Sequence, residues 1–257
     1  MRVYPSERFG RPPHPQDRHR NENKGRRLFR RLGKTFLILA LLIVLISFLL
    51  VLPLRWVNPT TTAFMLQDNS GIQTLQREWV DWPDLGDALP VAVVASEDQK
   101  FSSHMGFDVE SIRDSVNKYS QGQSLRGAST ITQQVAKNLY LWPSRSFLRK
   151  GIEAYFTALL EAILSKRRIL EIYLNIAEFG PGIYGAAAAS GLYFGKTPSA
   201  LEDAEAALLA AVLPSPKRLY VERPSSYLRN RQSWIIENME RLRREHWMLS
   251  FEQKQSD

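Results

Sequence analysis

The most conspicuous pattern in the chain is one continuous apolar run near the N-terminus. From Phe36 to Leu52 every residue is apolar except Ser47, and Pro53-Leu54 extends the run to about nineteen residues. A helix needs about 20 apolar residues to cross the hydrocarbon core of a bilayer, which is about 30 Å thick. The pattern therefore predicts one transmembrane helix over residues 35–54.

Beyond this run, apolar residues recur at helical spacing, and no convincing stretch alternates as a strand would. Residues 58–86, with Pro, Thr, Gly and Asp, are typical of a connecting and partly extended segment. Pro90 suits a first helical turn, and apolar residues 91–95 lead from it to Glu97. The pattern predicts one mainly α domain over residues 55–257, with further helices at Val109–Tyr119, Thr130–Leu139, Phe147–Ser165, Arg168–Asn175, Tyr184–Tyr193, Ala200–Leu213 and Tyr227–Glu245.

The positive charge of the chain is concentrated before the apolar run. Residues 1–34 hold eleven Lys and Arg against three acidic residues, so their net charge of +8 equals that of the whole chain. The basicity therefore marks a tail beside a membrane and not a nucleic-acid surface. The positive-inside rule predicts that this tail, which we expect to be disordered, is cytoplasmic and that residues 55–257 lie across the membrane.

A cleaved signal peptide is the alternative interpretation of the apolar run. The run is longer than the usual apolar region of a signal peptide, and residues 51–56, VLPLRW, contain no small-x-small cleavage site. We therefore interpret the run as an uncleaved anchor. The chain has no cysteine, which excludes a disulfide framework and a zinc site built from Cys and His.

Two short blocks hold the candidate chemistry. Residues 97–106 read EDQKFSSHMG and offer adjacent carboxylates, Glu97 and Asp98, followed by His104. An acid at the end of a helix is often a solvated or capping group, which is the structural alternative for Glu97. Residues 127–138 read GASTITQQVAKN, and their hydroxyl and amide groups suit sugars and phosphates. The structural alternative for this second block is a polar loop that enters a helix.

A group of four cations begins at the end of the second block and continues beyond it, and fixed cations stabilise negative charge that develops in a reaction. They are Lys137, Arg145, Arg149 and Lys150. Cations interleaved with aromatic residues are also typical of a solvated helix face whose side-chain stems cover apolar surface. Glu153 follows at helical spacing from Arg149, so an i,i+4 ion pair is its structural alternative.

One further pattern suggests a different chemistry. Ser115-Val116-Asn117-Lys118 matches the S-x-x-K pattern of penicillin-binding enzymes. The K-T-G pattern that accompanies it in those enzymes is missing, and Lys196-Thr197-Pro198 is the nearest approach. We interpret the match as chance and expect a monofunctional chain without a transpeptidase domain.

Together, the two blocks resemble the first two signature motifs of the monofunctional biosynthetic peptidoglycan transglycosylases, glycosyltransferase family 51. The resemblance covers about residues 57–220 and departs from the family at Arg167-Arg168, where acids are common, and at the Ala-rich residues 186–189. Later segments continue it in the family's order. They are RKGIE at residues 149–153, KRRILEIYLN at 166–175, FGPGIYG at 179–185 and YFGK at 193–196.

The resemblance implies a lysozyme-like fold, mainly α, with a catalytic head and a small membrane-proximal jaw. Apolar residues near the anchor are candidates for a jaw that dips into the membrane interface, and a role in the core is the open alternative for each of them. These residues are Trp56, Phe64, Met65, Leu66, residues 139–142, Phe147 and Leu148.

The resemblance also implies a reaction, the polymerisation of lipid II into β-1,4-linked peptidoglycan strands by inverting glycosyl transfer with release of undecaprenyl diphosphate. Glu97 is then the catalytic base, and Glu153 matches the family's second essential glutamate. Lys137 and Arg145 match positions that contact the lipid diphosphate. The other predicted substrate-binding residues are Asp98, Ser129, Thr130, Gln133, Gln134, Asn138, Arg149 and Lys150, and the predicted structural residues are Phe101, His104, Gly106, Gly127, Tyr173 and Asn175.

The implied cofactors and partners follow from the same reaction. The resemblance allows a divalent cation, Mg²⁺ or Mn²⁺, at the lipid diphosphate near Glu153, assigns no metal ligands and implies no organic cofactor. The predicted partners are lipid II, the nascent glycan strand, the bilayer and other cell-wall synthesis or division proteins. The predicted location is the bacterial inner membrane, with the catalytic domain in the periplasm.

Two alternatives of other kinds stay open. A membrane-tethered lysozyme-like hydrolase also needs a carboxylic acid, but it has no need of a cluster of diphosphate-binding cations. A non-catalytic scaffold for cell-wall or division proteins would be indicated by loss of Glu97, Lys137 or Glu153. All three residues are present.

Overall fold

The computed structural model describes residues 15–68, 76–120, 129–144, 146–245 and 247. The chain divides into two compact units, one up to Leu49 and one from Leu50 onward. The first unit contains most of helix α1 (Pro15–Val51), and the second contains the candidate chemistry.

Helix α1 includes the predicted membrane span. The segment Phe29–Arg55 is long and apolar enough to cross a membrane, by length and composition. Large apolar side chains between Phe36 and Leu50 are exposed along the helix. Such a surface is unfavourable in water and favourable in lipid, so the helix is suited to anchor the protein in a membrane.

Helix α1 differs from the prediction at both ends. Residues 15–34 are helical where disorder is predicted, because continuing a helix costs less than nucleating one and Arg, Lys and Glu are good helix formers. The prediction for residues 1–14 lies outside the described residues. Val51 ends the helix, and Leu52–Arg55 form a short 3₁₀ turn because Pro53 has no N–H to continue the α-helical bonding. The domain boundaries at residues 34 and 54 stay predictions.

The second unit is mainly helical, as the pattern predicts. The predicted and observed helices agree within a few residues for most of the chain. The described helices are α2 (Ala63–Leu66), α3 (Ala88–Glu97), α4 (Val109–Ser120), α5 (Ile131–Tyr140), α6 (Phe147–Ile163), α7 (Lys166–Ile176), α8 (Ala186–Phe194), α9 (Asp203–Val212) and α10 (Ser226–Arg244).

A small three-stranded sheet is the element that the hydrophobic pattern misses. Its strands are β1 (Gln76–Arg77), β2 (Glu178–Gly180) and β3 (Ile183–Tyr184), in the order β1-β3-β2. Strand β3 pairs parallel with β1 and antiparallel with β2. Strands of two or three residues are too short to show alternation, so the pattern could not predict them.

Helices α8 and α9 start later than predicted, and local backbone chemistry explains both differences. Tyr184 belongs to β3, and α8 starts after Gly185, whose φ of +88° lies in a region that favours glycine. The residues Pro198–Ala200 form a 3₁₀ turn, so α9 starts at Asp203.

Helix α3 is the centre of the core. Its residues 89–95 are buried, and it packs against α9 and α10. The buried residues of α9 include four alanines, Ala206, Ala207, Ala210 and Ala211. Their small side chains let α9 and α3 approach closely. Helix α5 packs against α6 and α7. The C-terminal end of α3 meets the N-terminal end of α5, so the two sequence blocks lie together.

Two polar side chains of α7 fasten the connecting segment to the core. The buried Asn175 accepts a hydrogen bond from Val80 N at 2.7 Å and donates one to Val80 O at 2.8 Å. Glu171 accepts one from Trp82 N at 2.9 Å. Because these bonds satisfy backbone groups of an irregular segment, they support the structural role predicted for Asn175.

The apolar residues near the anchor differ in burial, and Phe64 and Tyr140 are only partly buried. Met65, Leu139 and Leu141 are buried, so they belong to the core and not to a membrane-facing surface. Phe147 is 97% exposed. Phe147 is one of five such residues that are exposed, and this many exposed apolar side chains favour contact with another apolar surface. The exposed group, which we call the apolar rim, comprises Trp56, Leu66, Trp142, Phe147 and Leu148.

Candidate active site

The two sequence blocks are joined by the carboxylate of Asp98. Its Oδ2 accepts a hydrogen bond from Ile131 N, the first residue of α5, at 3.0 Å. Its Oδ1 lies 2.8 Å from His104 Nε2. A carboxylate at a helix N-terminus satisfies an unpaired N–H and interacts favourably with the helix dipole. The Asp98 side chain is 3% exposed, which favours a supporting position in the cleft wall, and its contact with substrate stays a prediction.

A second contact between the blocks runs through Thr130, the N-cap of α5. The Thr130 side chain and Gln133 form a reciprocal capping box, and Thr130 Oγ1 also donates to Gly106 O at 2.7 Å. Gly106 has φ of +79°, and a Cβ there would lie 2.7 Å from Thr157 Cγ2. Only glycine fits this position. The contacts give Thr130 and Gln133 structural roles, and their direct contacts with substrate stay predictions.

Glu97 is the last residue of α3, and hydrogen bonds hold both of its oxygens. Gln134 Nε2 donates to Oε2 at 2.9 Å. Gln134 Oε1 in turn accepts from the hydroxyl of Tyr173 at 3.1 Å. Burial raises the pKa of Tyr173 well above its usual value, so this hydroxyl stays protonated and donates. Tyr173 therefore orients Gln134, and Gln134 orients Glu97.

The other oxygen of Glu97 contacts a residue that the sequence motifs do not include. Arg231 of α10 places Nη2 at 3.3 Å from Oε1, and Ser96 Oγ donates to Oε1 at 3.1 Å. The Glu97 side chain is 12% exposed. The carboxylate is therefore held in one orientation while part of it stays accessible.

The Glu97–Gln134 hydrogen bond links the walls of two cavities, because Glu97 lines one and Gln134 lines the other. The first has a volume of about 250 Å³, and its lining includes Glu97, Lys100 and Ser129. The second has a volume of about 170 Å³, and its lining includes Gln134 and Lys137. A carboxylate in the wall of one cavity, bonded to a residue of the next, can act as a base toward a molecule bound beside it. Asn138 also lines the second cavity, and its contact with substrate stays a prediction.

The cations of the cluster have different surroundings. Glu153 is buried and pairs with Arg149 through Oε2 at 2.6 Å and with Lys150 through Oε1. Lys150 also reaches Ser129 Oγ at 3.4 Å, which ties the cluster to the second sequence block. The i,i+4 pair with Arg149 is therefore present, and a direct catalytic role of Glu153 stays a prediction.

Lys137 differs from these cations because it has neither a hydrogen bond nor an ion pair within the described part of the chain. Its Nζ lies 5.2 Å from the centre of the Phe64 ring. Burial lowers the pKa of Lys137, and the charge of Glu153 offsets this in part. A cation in this position, partly buried and unpaired, is available to an anionic ligand.

Some predicted features are not placed by the structure. Arg145 and Gly127 lie outside the described residues. Phe101 is fully buried and forms part of the core beneath His104, in line with its predicted structural role.

Among the described residues no group of three or more His, Cys, Asp and Glu could hold a metal ion, and Glu153 is already paired with two cations. The divalent cation stays a prediction, and no step below depends on it.

The described residues form a helical domain in which the carboxylate of Glu97 lies in the wall of one cavity and is hydrogen-bonded to a residue of a second. The chain also has one helix that is long and apolar enough to cross a membrane. The family model described as Transglycosylase matches residues 65–240, which include both sequence blocks, the cation cluster and Arg231. The chain belongs to the transglycosylase family. Its helical domain is therefore lysozyme-like, as the resemblance implies.

Several similar proteins are named biosynthetic peptidoglycan transglycosylase. One from Pseudomonas entomophila (strain L48) is 51% identical over 202 residues, which cover 76% of this chain and 86% of that protein. One from Stutzerimonas stutzeri (strain A1501) is 48% identical over 229 residues, which cover 87% of this chain and 93% of that protein. One from Pseudomonas aeruginosa is 46% identical over 234 residues, which cover 88% of this chain and 99% of that protein.

The lowered pKa of Lys137 predicts how ligand binding depends on pH. An anionic ligand at Lys137 requires the protonated amine, so binding should weaken as pH rises through a pKa below that of an ordinary lysine. Arginine stays protonated at these pH values, so Lys137→Arg should move this weakening to higher pH. Moenomycin, a phosphoglycolipid that inhibits the family, is the probe, and its affinity is measured against pH by calorimetry.

Lys196→Arg is the matched control, because Lys196 pairs with Glu205 and lines neither cavity. Its pH profile should equal that of the wild type. An identical profile for Lys137→Arg and wild type would show that Lys137 does not contact the anion.

Proposed function

We propose that the protein polymerises lipid II into β-1,4-linked peptidoglycan glycan strands, with inversion and release of undecaprenyl diphosphate. Membership of the transglycosylase family makes the chain a peptidoglycan glycosyltransferase. The substrate and the leaving group are our inference. The observation that carries them is the hydrogen bond from Gln134 to Glu97, which links the first cavity to a second one lined by Lys137, a cation without an ion pair among the described residues.

In the proposed reaction, Glu97 is the general base. It takes the proton of the sugar 4-hydroxyl of lipid II bound in the first cavity. The hydroxyl oxygen attacks the anomeric carbon of the terminal MurNAc of the growing strand, which is bound on the side of the second cavity. The new glycosidic bond forms as the bond to the diphosphate breaks, so the anomeric configuration inverts and the electron pair leaves with the diphosphate.

Lys137 determines which cavity holds the donor. The diphosphate gains negative charge as its bond to the sugar breaks, and a fixed cation in a partly buried site stabilises that charge strongly. Lys137 lines the second cavity and not the first. The donor therefore belongs on that side and the acceptor at the first cavity. Arg149 and Lys150, held by Glu153, add positive charge nearby.

The lipid tail of lipid II gives a reason for two exposed apolar surfaces of the protein. The exposed apolar helix and the apolar rim (Trp56, Leu66, Trp142, Phe147 and Leu148) both suit contact with a bilayer. We assign the membrane to the bacterial inner membrane and the catalytic domain to the periplasm. Lipid II, the nascent strand, the bilayer and other cell-wall synthesis or division proteins are the partners in this scheme.

The proposed orientation predicts the location of the C-terminus. The net charge of +8 in residues 1–34 should keep that tail in the cytoplasm. A reporter enzyme that works only in the periplasm, fused after Asp257, should therefore be active. The same fusion with a cytoplasmic reporter is the control and should be inactive. The reverse pattern would contradict both the orientation and the assignment of outward-facing lipid II as substrate.

Replacing the proposed base predicts a loss of polymerisation. Glu97→Gln keeps the shape of the side chain but cannot accept the proton, so the rate should fall about 10²- to 10⁴-fold, the usual contribution of a general base. Glycan formation from lipid II, resolved by gel electrophoresis, measures the rate. Glu237→Gln, an exposed acid on α10, is the control and should keep the wild-type rate. A near wild-type rate for Glu97→Gln would exclude Glu97 as the base.

A further inference from the structure

Arg231 lies beside the carboxylate of Glu97, on a helix outside the sequence motifs. Its Nη2 is 3.3 Å from Glu97 Oε1 and donates to Ser96 Oγ at 2.9 Å. Ser96 Oγ in turn donates to Glu97 Oε1 at 3.1 Å. One carboxylate oxygen is therefore held by a guanidinium and by a hydroxyl that the same guanidinium orients.

The position of Arg231 follows from the residue pattern of α10. Leu228, Ile235, Met239 and Leu242 are buried, and α10 packs against α3 and α9. Arg231 lies between Leu228 and Ile235 at helical spacing, so it shares their face. The pattern of the helix favours an apolar residue at this position. An arginine on a packed face needs a partner.

The surroundings of the guanidinium identify that partner. The Arg231 side chain is 21% exposed, and its Nε is buried without a hydrogen bond from the described residues. The ion pair of Arg231 is with Glu97. Replacing a buried ion pair by well-packed apolar residues is often neutral or stabilising. Stability therefore gives little reason for an arginine here, whereas orientation of the carboxylate gives a direct one.

Gln134 completes the arrangement from the other side. Its Nε2 donates to Glu97 Oε2 at 2.9 Å, and Tyr173 holds its Oε1. With a donor on each oxygen, the carboxylate of Glu97 cannot rotate without losing a hydrogen bond. A carboxylate oxygen accepts about two hydrogen bonds, so Oε2 keeps one acceptor position for a substrate proton.

We propose that Arg231 is a positioning residue for Glu97, which it holds by Oε1 so that Oε2 takes the proton of the acceptor hydroxyl. This inference rests on the proposed function, because it assigns a role in the same reaction. Arg231 acts through Glu97 and does not touch substrate in this scheme. Its loss should therefore reduce turnover more than substrate binding.

The test compares polymerisation of lipid II by the full-length wild type, Arg231→Met, Arg231→Lys and Arg229→Met. Methionine keeps an apolar stem on the packed face and removes the charge. We expect Arg231→Met to lower kcat about tenfold to a hundredfold, as when a hydrogen bond to a charged group is lost. KM for lipid II should stay near the wild-type value. Arg231→Lys keeps the charge and should restore part of kcat.

Arg229→Met is the matched control, because Arg229 is exposed on the same helix and its guanidinium bonds only Gln232 among the described residues. It should keep the wild-type kcat and KM. A wild-type kcat in Arg231→Met, a change confined to KM, or an equal loss in Arg229→Met would overturn the proposal.

Thermal unfolding separates positioning from folding. Arg231→Met leaves the largely buried Glu97 carboxylate without this partner, so its Tm should fall. All kinetics are therefore measured well below the Tm of every variant, where each protein is folded. A large drop in Tm with unchanged kcat below that temperature would mark Arg231 as structural and contradict the proposal. A wild type that makes no glycan from lipid II would contradict the proposed function and the role of Arg231 together. An active wild type with an equally active Arg231→Met would reject only the role of Arg231.

Discussion

The site depends on the buried carboxylate of Asp98, which receives the N-terminus of helix α5. A buried carboxylate needs donors, and the free N–H of Ile131 and the ring of His104 supply them. Once α5 is docked there, Gln134 lies one turn along it and reaches Glu97, and Lys137 lies a further turn along and reaches the second cavity. One capping interaction therefore sets the spacing between the carboxylate of Glu97 and the amine of Lys137.

Among the described residues of the site, several charges pair within the protein, and Lys137 does not. The buried Glu153 pairs with Arg149 and Lys150, and Glu97 pairs with Arg231. Lys137 has no such partner among the described residues, and its burial lowers its pKa. A cation held in this way is prepared for an anion and needs little reorganisation when one binds. Among the described cations of the site, Lys137 is therefore the one most available to an anionic ligand.

Much of this arrangement could be predicted from the sequence, and the remainder depends on contacts that no local pattern records. The helices follow from apolar spacing, and residues 97–106 and 127–138 carry enough motif positions to indicate one site. Arg231 is a single arginine far along the chain from Glu97, and its only local signal is its place on an apolar helix face. The bounds of α8 and the small sheet depend on Gly185 and on pairings of two or three residues, which leave no periodic signal.

This site is suited to synthesise glycan and not to cleave it. The most direct measurement incubates the purified full-length protein with lipid II, and separately with preformed glycan strands, and quantifies both glycan and undecaprenyl diphosphate. With lipid II, we expect strands that lengthen while the lipid diphosphate appears in step with each new bond. Preformed strands should stay intact. Shortened strands without any release of lipid diphosphate would contradict this expectation, because a hydrolase of neutral glycosidic bonds would then explain the carboxylate at Glu97.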